Sequence, residues 1–180
     1  MRILVSTVMV TAALHSTAAG QTNAVQASRQ LTPSEMGTAA VLSFEGRNGV
    51  AFSDLISHEL LQRGVPLVER TRLAAVLRER DLTLDDLAAG RVDSSVLIEA
   101  ARIDTLIFGS VTPITVYVSG ADSGRVSVAS LRLVDVRSGK ILSSVSFNSN
   151  TEVLLKGKTY GTAATMMVAA LIRNADRRMR

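Results

Sequence analysis

The 180-residue chain contains no cysteine and no tryptophan, three prolines, two histidines and only 3% aromatic residues. Without a thiol there is no cysteine nucleophile, no disulfide, no thiolate metal site and no cysteine to carry a lipid. With so few rings, stacking on bases or sugars has little to work with, and the core must be built from Leu, Val, Ile and Ala. His15 sits near the start of the chain, which leaves His58 alone in the rest and excludes a multi-histidine metal site there. Charge is also nearly balanced: the formal excess is +4 with a sequence pI of about 10.1, a mild bias toward anionic partners. What remains is 47% hydrophobic and 20% charged, the composition of a compact folded chain rather than a disordered one.

The first residues have the layout of a secretory leader. Met1-Arg2 supplies the positive end, residues 3–14 the apolar stretch, and "HSTAAGQTNA" a polar, small-residue exit. About 12 apolar residues fall short of the ~20 that a membrane-spanning helix needs. The reading is therefore a signal peptide over residues 1–24 and an exported chain. A lipoprotein leader would end in cysteine; here "TAAG" is followed by Gln21, so no direct lipid anchor is expected.

Residues 25–37 are polar and aperiodic and read as a flexible linker ahead of a single domain over residues 38–180. Within that domain "TAAVLSFEG" is a strand closed by Gly46, and residues 49–63 place Phe52, Leu55, Ile56 and Leu60 on one helical face. "VPLVE" is a second strand. Thr71 is the expected N-cap of a helix over 72–80 with Leu73, Val76 and Leu77 as its buried stripe. Thr83 and Asp86 form a capping box, Gly90 a stop, and Asp93 caps a further helix through Ala101. "DTLIFGSVTPITVYVSG" then predicts a central strand that turns over at Pro113. "VSVASLRLVDV" and "KILSSVSF" make a hairpin around "RSG", with a bulge near Ser130. Residues 159–178 predict a long final helix capped by Thr159. The order describes a mixed β-sheet flanked by helices, an α/β or α+β sandwich.

Few residues suggest chemistry. Gly157-Lys158-Thr159 precedes a helix as in a P-loop, but the glycine required five residues earlier is Glu152, whose carboxylate repels phosphate. A phosphate- or nucleotide-binding enzyme using this loop is the alternative function. Asp54 and His58, four apart on a helix, could hydrogen-bond as an acid and base do, with Ser53 and Ser57 nearby but lacking a strained elbow. Asp81, Asp85 and Asp86 could hold a cation, though capping explains these acids. Arg173, Arg177, Arg178 and Arg180 complement a helix C-terminus rather than a nucleic acid. No catalytic set, metal site or cofactor is expected.

The stretches "AAVLSFEG", "FSDLISHELLQRGVPLVERTRLAAVLRERDL", "TLIFGSVT" and "VSVASLRLVDVRSGKILSSVSF" resemble, in order, those of the curli-secretion (CsgG-type) assembly family and its periplasmic relatives that activate penicillin-binding proteins or assist exopolysaccharide export. The likeness spans about residues 39–173. It implies an anticodon-binding-domain-like sandwich used for interaction: a non-enzymatic periplasmic scaffold for secretion, polymer export or wall synthesis, in solution or at the outer membrane. Its implied partners are envelope proteins and further copies of the chain as a homo-oligomer, with no nucleic acid. Glu69 and Arg70 match the family's acid–arginine step between strand and helix. With Arg72 they are the implied interaction or structural residues, and Glu69 and Arg70 are expected to pin that helix start within the domain or to a neighbouring subunit. Curli-type channels carry long hairpins that build a barrel. Here the loop from Glu45 to Phe52 is short and residues 114–131 read as a short hairpin, so no barrel is expected.

Overall fold

A computed structural model describes residues 25–88, 91–118, 121–149 and 159–173. The leader expected over 1–24, Gly90, Gly157, Lys158 and the arginines at 177, 178 and 180 lie outside the described residues. In chain order the elements are β1 (Val25–Ala27), α1 (Pro33–Met36), β2 (Ala39–Val41), α2 (Gly49–Gln62), β3 (Leu67–Val68), α3 (Arg70–Arg78) and α4 (Leu84–Ala88). A π-helical turn (Val96–Ala100), β4 (Thr105–Val118), β5 (Ala121–Asp135), β6 (Ile141–Asn148) and α5 (Tyr160–Leu171) follow.

The strands form one open six-stranded sheet in the order β1-β6-β5-β4-β2-β3. β2 runs parallel to both β3 and β4, while the β1, β6, β5 and β4 neighbours are antiparallel. This is the mixed α+β architecture expected from the order of elements. The parallel corner follows from chain economy, since β2-α2-β3 is a crossover unit whose helix must pack back on the sheet.

Each sheet face has its own core. Phe52, Ile56 and Leu60 of α2 and Met167 and Leu171 of α5 close over Ile107, Leu131 and Phe147, all essentially inaccessible. On the other face Leu73 and Leu77 of α3 pack with Val96, Leu97 and Ile103 against Ala40 and Leu42. Burying a side chain of this size stabilises the fold by roughly 1.5–3 kcal/mol, so these two layers carry the domain. α2 forms where the apolar positions recur every three to four residues, and α4 where Thr83 and Asp86 satisfy each other's backbone N–H at 2.9 and 3.1 Å.

Several expectations are corrected. Residues 25–37 are not a flexible linker: β1 pairs with β6, α1 carries a capping box of Thr32 and Glu35, and Leu31 and Met36 are buried. Helix α3 begins at Arg70, with Glu69 at the N-cap and Thr71 already inside the first turn. The backbone leaves β3 at Glu69 with ψ 141, and its carbonyl accepts from Leu73 N at 3.0 Å, so the first turn closes before Thr71 can cap it.

The stretch after Asp93 is π-helical at Val96–Ala100 rather than an α-helix. The final helix stops at Leu171, because Ile172 turns extended (φ −97, ψ 124) and bridges Leu31. β4 does not turn over at Pro113; it continues to Val118 as one arm of a hairpin of 14- and 15-residue strands, so the hairpin is long. The bulge lies at Thr112/Pro113, which pair with Val128 and Val126 and leave Ser127 as the extra residue. That skip sets the parity change: Val126, Ala129, Leu131 and Leu133 are buried and Val128 is exposed.

Candidate functional site

Among the described residues β3 is the last strand in the sheet, so one of its edges has no strand partner there. Ala39 N donates to Pro66 O at 2.9 Å and Ala39 stands opposite Leu67, so in this parallel ladder Leu67 turns its own N–H and C=O to the open side. Along that edge runs a groove of about 420 Å³. Val41, Leu67 and Val68 form its apolar floor, and Asp54, Ser57 and Leu61 form the wall contributed by α2. The same helix buries Phe52, Ile56 and Leu60 on its opposite stripe, so the spacing of 54, 57 and 61 leaves a second face of α2 toward the groove. Leu61 is 55% exposed, unusual for so large an apolar side chain.

Arg70 closes one end. Standing on the first turn of α3, it reaches back to α2, where Nη2 donates to Ser53 Oγ at 2.7 Å and to Asp54 Oδ1 at 3.0 Å. The hydroxyl of Ser53, fully buried, donates onward to Val50 O at 2.7 Å, which orients its lone pairs toward the guanidinium. The Arg70 side chain is 23% exposed and that of Asp54 63%, so the pair is anchored at its arginine end and wet at its carboxylate end. The Arg70 Nε atom is buried without a hydrogen-bond partner.

The implied residues therefore divide. Arg70, on the first turn of α3, hydrogen-bonds inside the domain to Ser53, 17 residues away. The Glu69 side chain makes no cap bond; its carboxylate sits exposed at the rim of the groove, and only its backbone holds the helix. Arg72 is exposed on α3 and is not among the groove's lining residues. Residue patterns passed over Ser53 as an anchor and Leu61 as a docking residue. The 54/57/61 stripe was a usable signal for the second, while nothing local marks the first.

The acid–base candidates come apart in space. Asp54 faces Arg70, and His58 instead accepts at Nε2 from the Gln62 amide at 2.7 Å, so no Asp–His dyad forms. Ser57 Oγ donates to Ser53 O at 2.8 Å, the back-bond of a helical serine rather than of a nucleophile. Asp86 is occupied by its capping box and by Arg91, which donates to Oδ1 through Nε at 2.9 Å and Nη2 at 2.7 Å. The Thr83 hydroxyl first, and then Arg91, hold its carboxyl at a pKa of about 2. Among the described residues no group of three or more His, Cys, Asp or Glu could hold a metal ion. Of the P-loop-like stretch only Thr159 is described, and it caps α5 by accepting from Thr162 N at 3.3 Å. A second, smaller cavity of about 160 Å³ on the opposite sheet face holds Glu45 and Arg132 beside the Ser110–Ser130 hydroxyl pair, 3.0 Å apart.

What the groove can do chemically is bind. It combines an open strand edge, an apolar floor and fixed charges at its rim, the arrangement by which a sheet accepts an extended peptide.

Comparison with curated proteins by sequence gives no match. Among solved structures the chain is similar to the PelC dodecamer from Paraburkholderia phytofirmans, at 13% identity over 83% of this chain and 98% of that one (TM-score 0.48). It is similar to lipoprotein GNA1162 from Neisseria meningitidis, at 21% identity over 74% and 94% (TM-score 0.46). It is also similar to the LpoB C-terminal domain from Escherichia coli, at 15% identity over 66% and 93% (TM-score 0.46). The family model for the curli production assembly/transport component CsgG matches residues 21–167. The chain belongs to the CsgG family.

Proposed function

We propose that the chain is a non-enzymatic accessory protein of the cell envelope, a periplasmic interaction scaffold whose partners are envelope proteins and further copies of itself. The observation that carries the reading is the groove beside β3. Its apolar floor, the exposed Leu61 and the outward backbone of Leu67 are suited to holding a strand-like segment. Family membership supports the envelope setting, and the separation of Asp54 from His58 supports binding over turnover. Service to secretion, polymer export or wall synthesis is the task we propose for the scaffold.

Fractionation of cells expressing the full chain, joined to thermal melts of the purified protein with nucleotides and with inorganic phosphate, tests this. The expected outcome is recovery in the envelope fraction and no saturable rise in Tm. Cytosolic recovery, or a saturable rise that disappears with Lys158→Ala, overturns it in favour of a phosphate-binding enzyme.

A further inference from the structure

The second face of the sheet is covered only in part. Helix α3 and the π-helical turn pack over Ala40, Leu42 and Leu106 and reach Phe108, where the apolar cover ends. Beyond Phe108 the same face carries Ser110, Ser130, Arg132, Ser144 and Ser146, none of them buried. The cavity of about 160 Å³ lies at that border, lined by Glu45, Phe108, Gly109, Ser110, Ser130 and Arg132.

Strand register brings these residues together. Ser110 stands opposite Ser130 and Phe108 opposite Arg132, and residues paired across strands point to one face. Glu45 joins them through an extra residue after β2. Leu42 N donates to Ile107 O and Glu45 N to Gly109 O, so the chain takes three residues over an interval that a regular parallel ladder covers in two. The extra residue sends Phe44 into the core under α2 and brings Glu45, bridged to Ser110, onto the second face. Two strand spacings and two residues separate Glu45 from Arg132, about 12 Å between Cα atoms, and they border the cavity from opposite ends.

These two charges do not satisfy each other. Among the described residues neither the Glu45 carboxylate nor the Arg132 guanidinium makes an ion pair or a hydrogen bond. Between them Ser110 Oγ and Ser130 Oγ lie 3.0 Å apart. One hydroxyl proton is used in that bond, and the other is free to be donated. The cavity thus offers a cation and a hydroxyl donor, an acceptor at the far end, and the Phe108 ring as an apolar wall, the make-up of a small-molecule site. A lone anion would meet the Glu45 carboxylate and a lone cation would meet Arg132, so a ligand that carries both charges is selected. At roughly 30 Å³ per water the space holds about five waters, room for roughly five to eight non-hydrogen atoms.

We propose that this cavity binds a small amino acid of about alanine's size in its zwitterionic form. The carboxylate lies on the guanidinium fork of Arg132 and takes the free serine proton, and the ammonium lies on Glu45. The inference goes beyond the scaffold reading and uses none of the residues along β3, so either can fail alone.

Isothermal titration of the full chain with glycine, L-alanine and D-alanine tests it, with propionate and ethylamine as singly charged analogues. At least one of the three amino acids is expected to saturate one site per chain and to bind roughly tenfold or more tighter than either analogue. Arg132→Gln and Glu45→Gln are each expected to weaken it by about tenfold or more at unchanged Tm, since neither side chain has a partner to lose, while Arg137→Gln on the β5–β6 turn leaves binding as it was. Amide NMR shifts on titration should concentrate at residues 45, 108–110 and 130–132. No saturable binding of any of the three, equally tight binding of propionate or ethylamine, or binding that survives both charge variants would overturn the proposal.

Discussion

Replacing Arg70 with alanine removes two interactions of different kinds, and the structure sets their sizes apart. The bond to Ser53 Oγ at 2.7 Å lies where Ser53 is inaccessible to water, and a hydrogen bond from a charged donor there contributes roughly 1.5–3 kcal/mol at most. Part of that is retained in the variant, because the hydroxyl keeps its bond to Val50 O. The ion pair to Asp54 ends on a carboxylate that is 63% exposed, so it is screened and contributes under ~1 kcal/mol. Arg70→Ala is therefore expected to destabilise by about 1–2 kcal/mol, and Asp54→Ala by under ~0.5 kcal/mol. Urea denaturation with unchanged m-values measures both. A double-mutant cycle between positions 70 and 54 should give a coupling under ~1 kcal/mol that shrinks in 1 M salt, whereas the 70–53 coupling should survive salt. An Arg70→Ala protein as stable as the parent, or a 70–54 coupling that persists at high salt, would refute the division of labour drawn here.

Other expectations follow from the core and the caps. Phe52 is fully buried, with its ring edge-on to Phe44 and Tyr160 at centroid distances of 5.6 and 6.0 Å, and Phe52→Ala should cost about 3–5 kcal/mol by denaturant melt. Gly109 lies so close to β5 that a Cβ would meet the carbonyl oxygen of Ser130; Gly109→Ala should lower Tm far more than alanine at Gly161, where a Cβ meets open space. Acid sensitivity is set by carboxylates whose folded pKa is depressed: Asp86 to about 2 by Thr83 and Arg91, Glu35 by Thr32, Asp93 by Ser95 and Asp135 by Ser138. Their contribution is fully present above their ordinary values of 4.5 and 3.8 and is lost as pH falls through their depressed folded values, about 2 for Asp86, so Tm should decline as pH is lowered. Carboxyl NMR titration of Asp86 should place its midpoint near 2, and Asp86→Asn should flatten part of the decline.

Local periodicity and capping were legible at α2 and α4, whereas the Thr32–Glu35 capping box of α1 was passed over inside a polar stretch. Phe52, Ile56 and Leu60 mark α2 without help, and Thr83 with Asp86 mark the start of α4. Features fixed by distant partners were not. Val25–Ala27 becomes a strand only because residues 145–147 of β6 offer it an edge, and its polar, aperiodic text carries no sign of that. Pro113 reads as a breaker until its place at the Thr112/Pro113 bulge is known. Thr71 reads as a cap because threonine so often is one, yet the exit angle at Glu69 starts the helix two residues earlier. At the site, the acid–arginine step lies among the residues that line the groove. Arg70 turned out to act through Ser53, 17 residues away, while Glu69 projects to the rim. The groove itself depends on β3 being the edge strand, which the strand order decides and no local pattern can.

The central claim is that the open edge of β3 is where this chain meets an envelope protein. Photo-crosslinking from positions 61 and 67 of the full chain in intact cells tests it most directly, with exposed Arg137 on the β5–β6 turn as the control position. The account predicts one discrete adduct with an envelope protein from both groove positions, its loss in an Arg70→Glu background, and none from position 137. Adducts of equal yield from all three positions, or none from the groove, would contradict it.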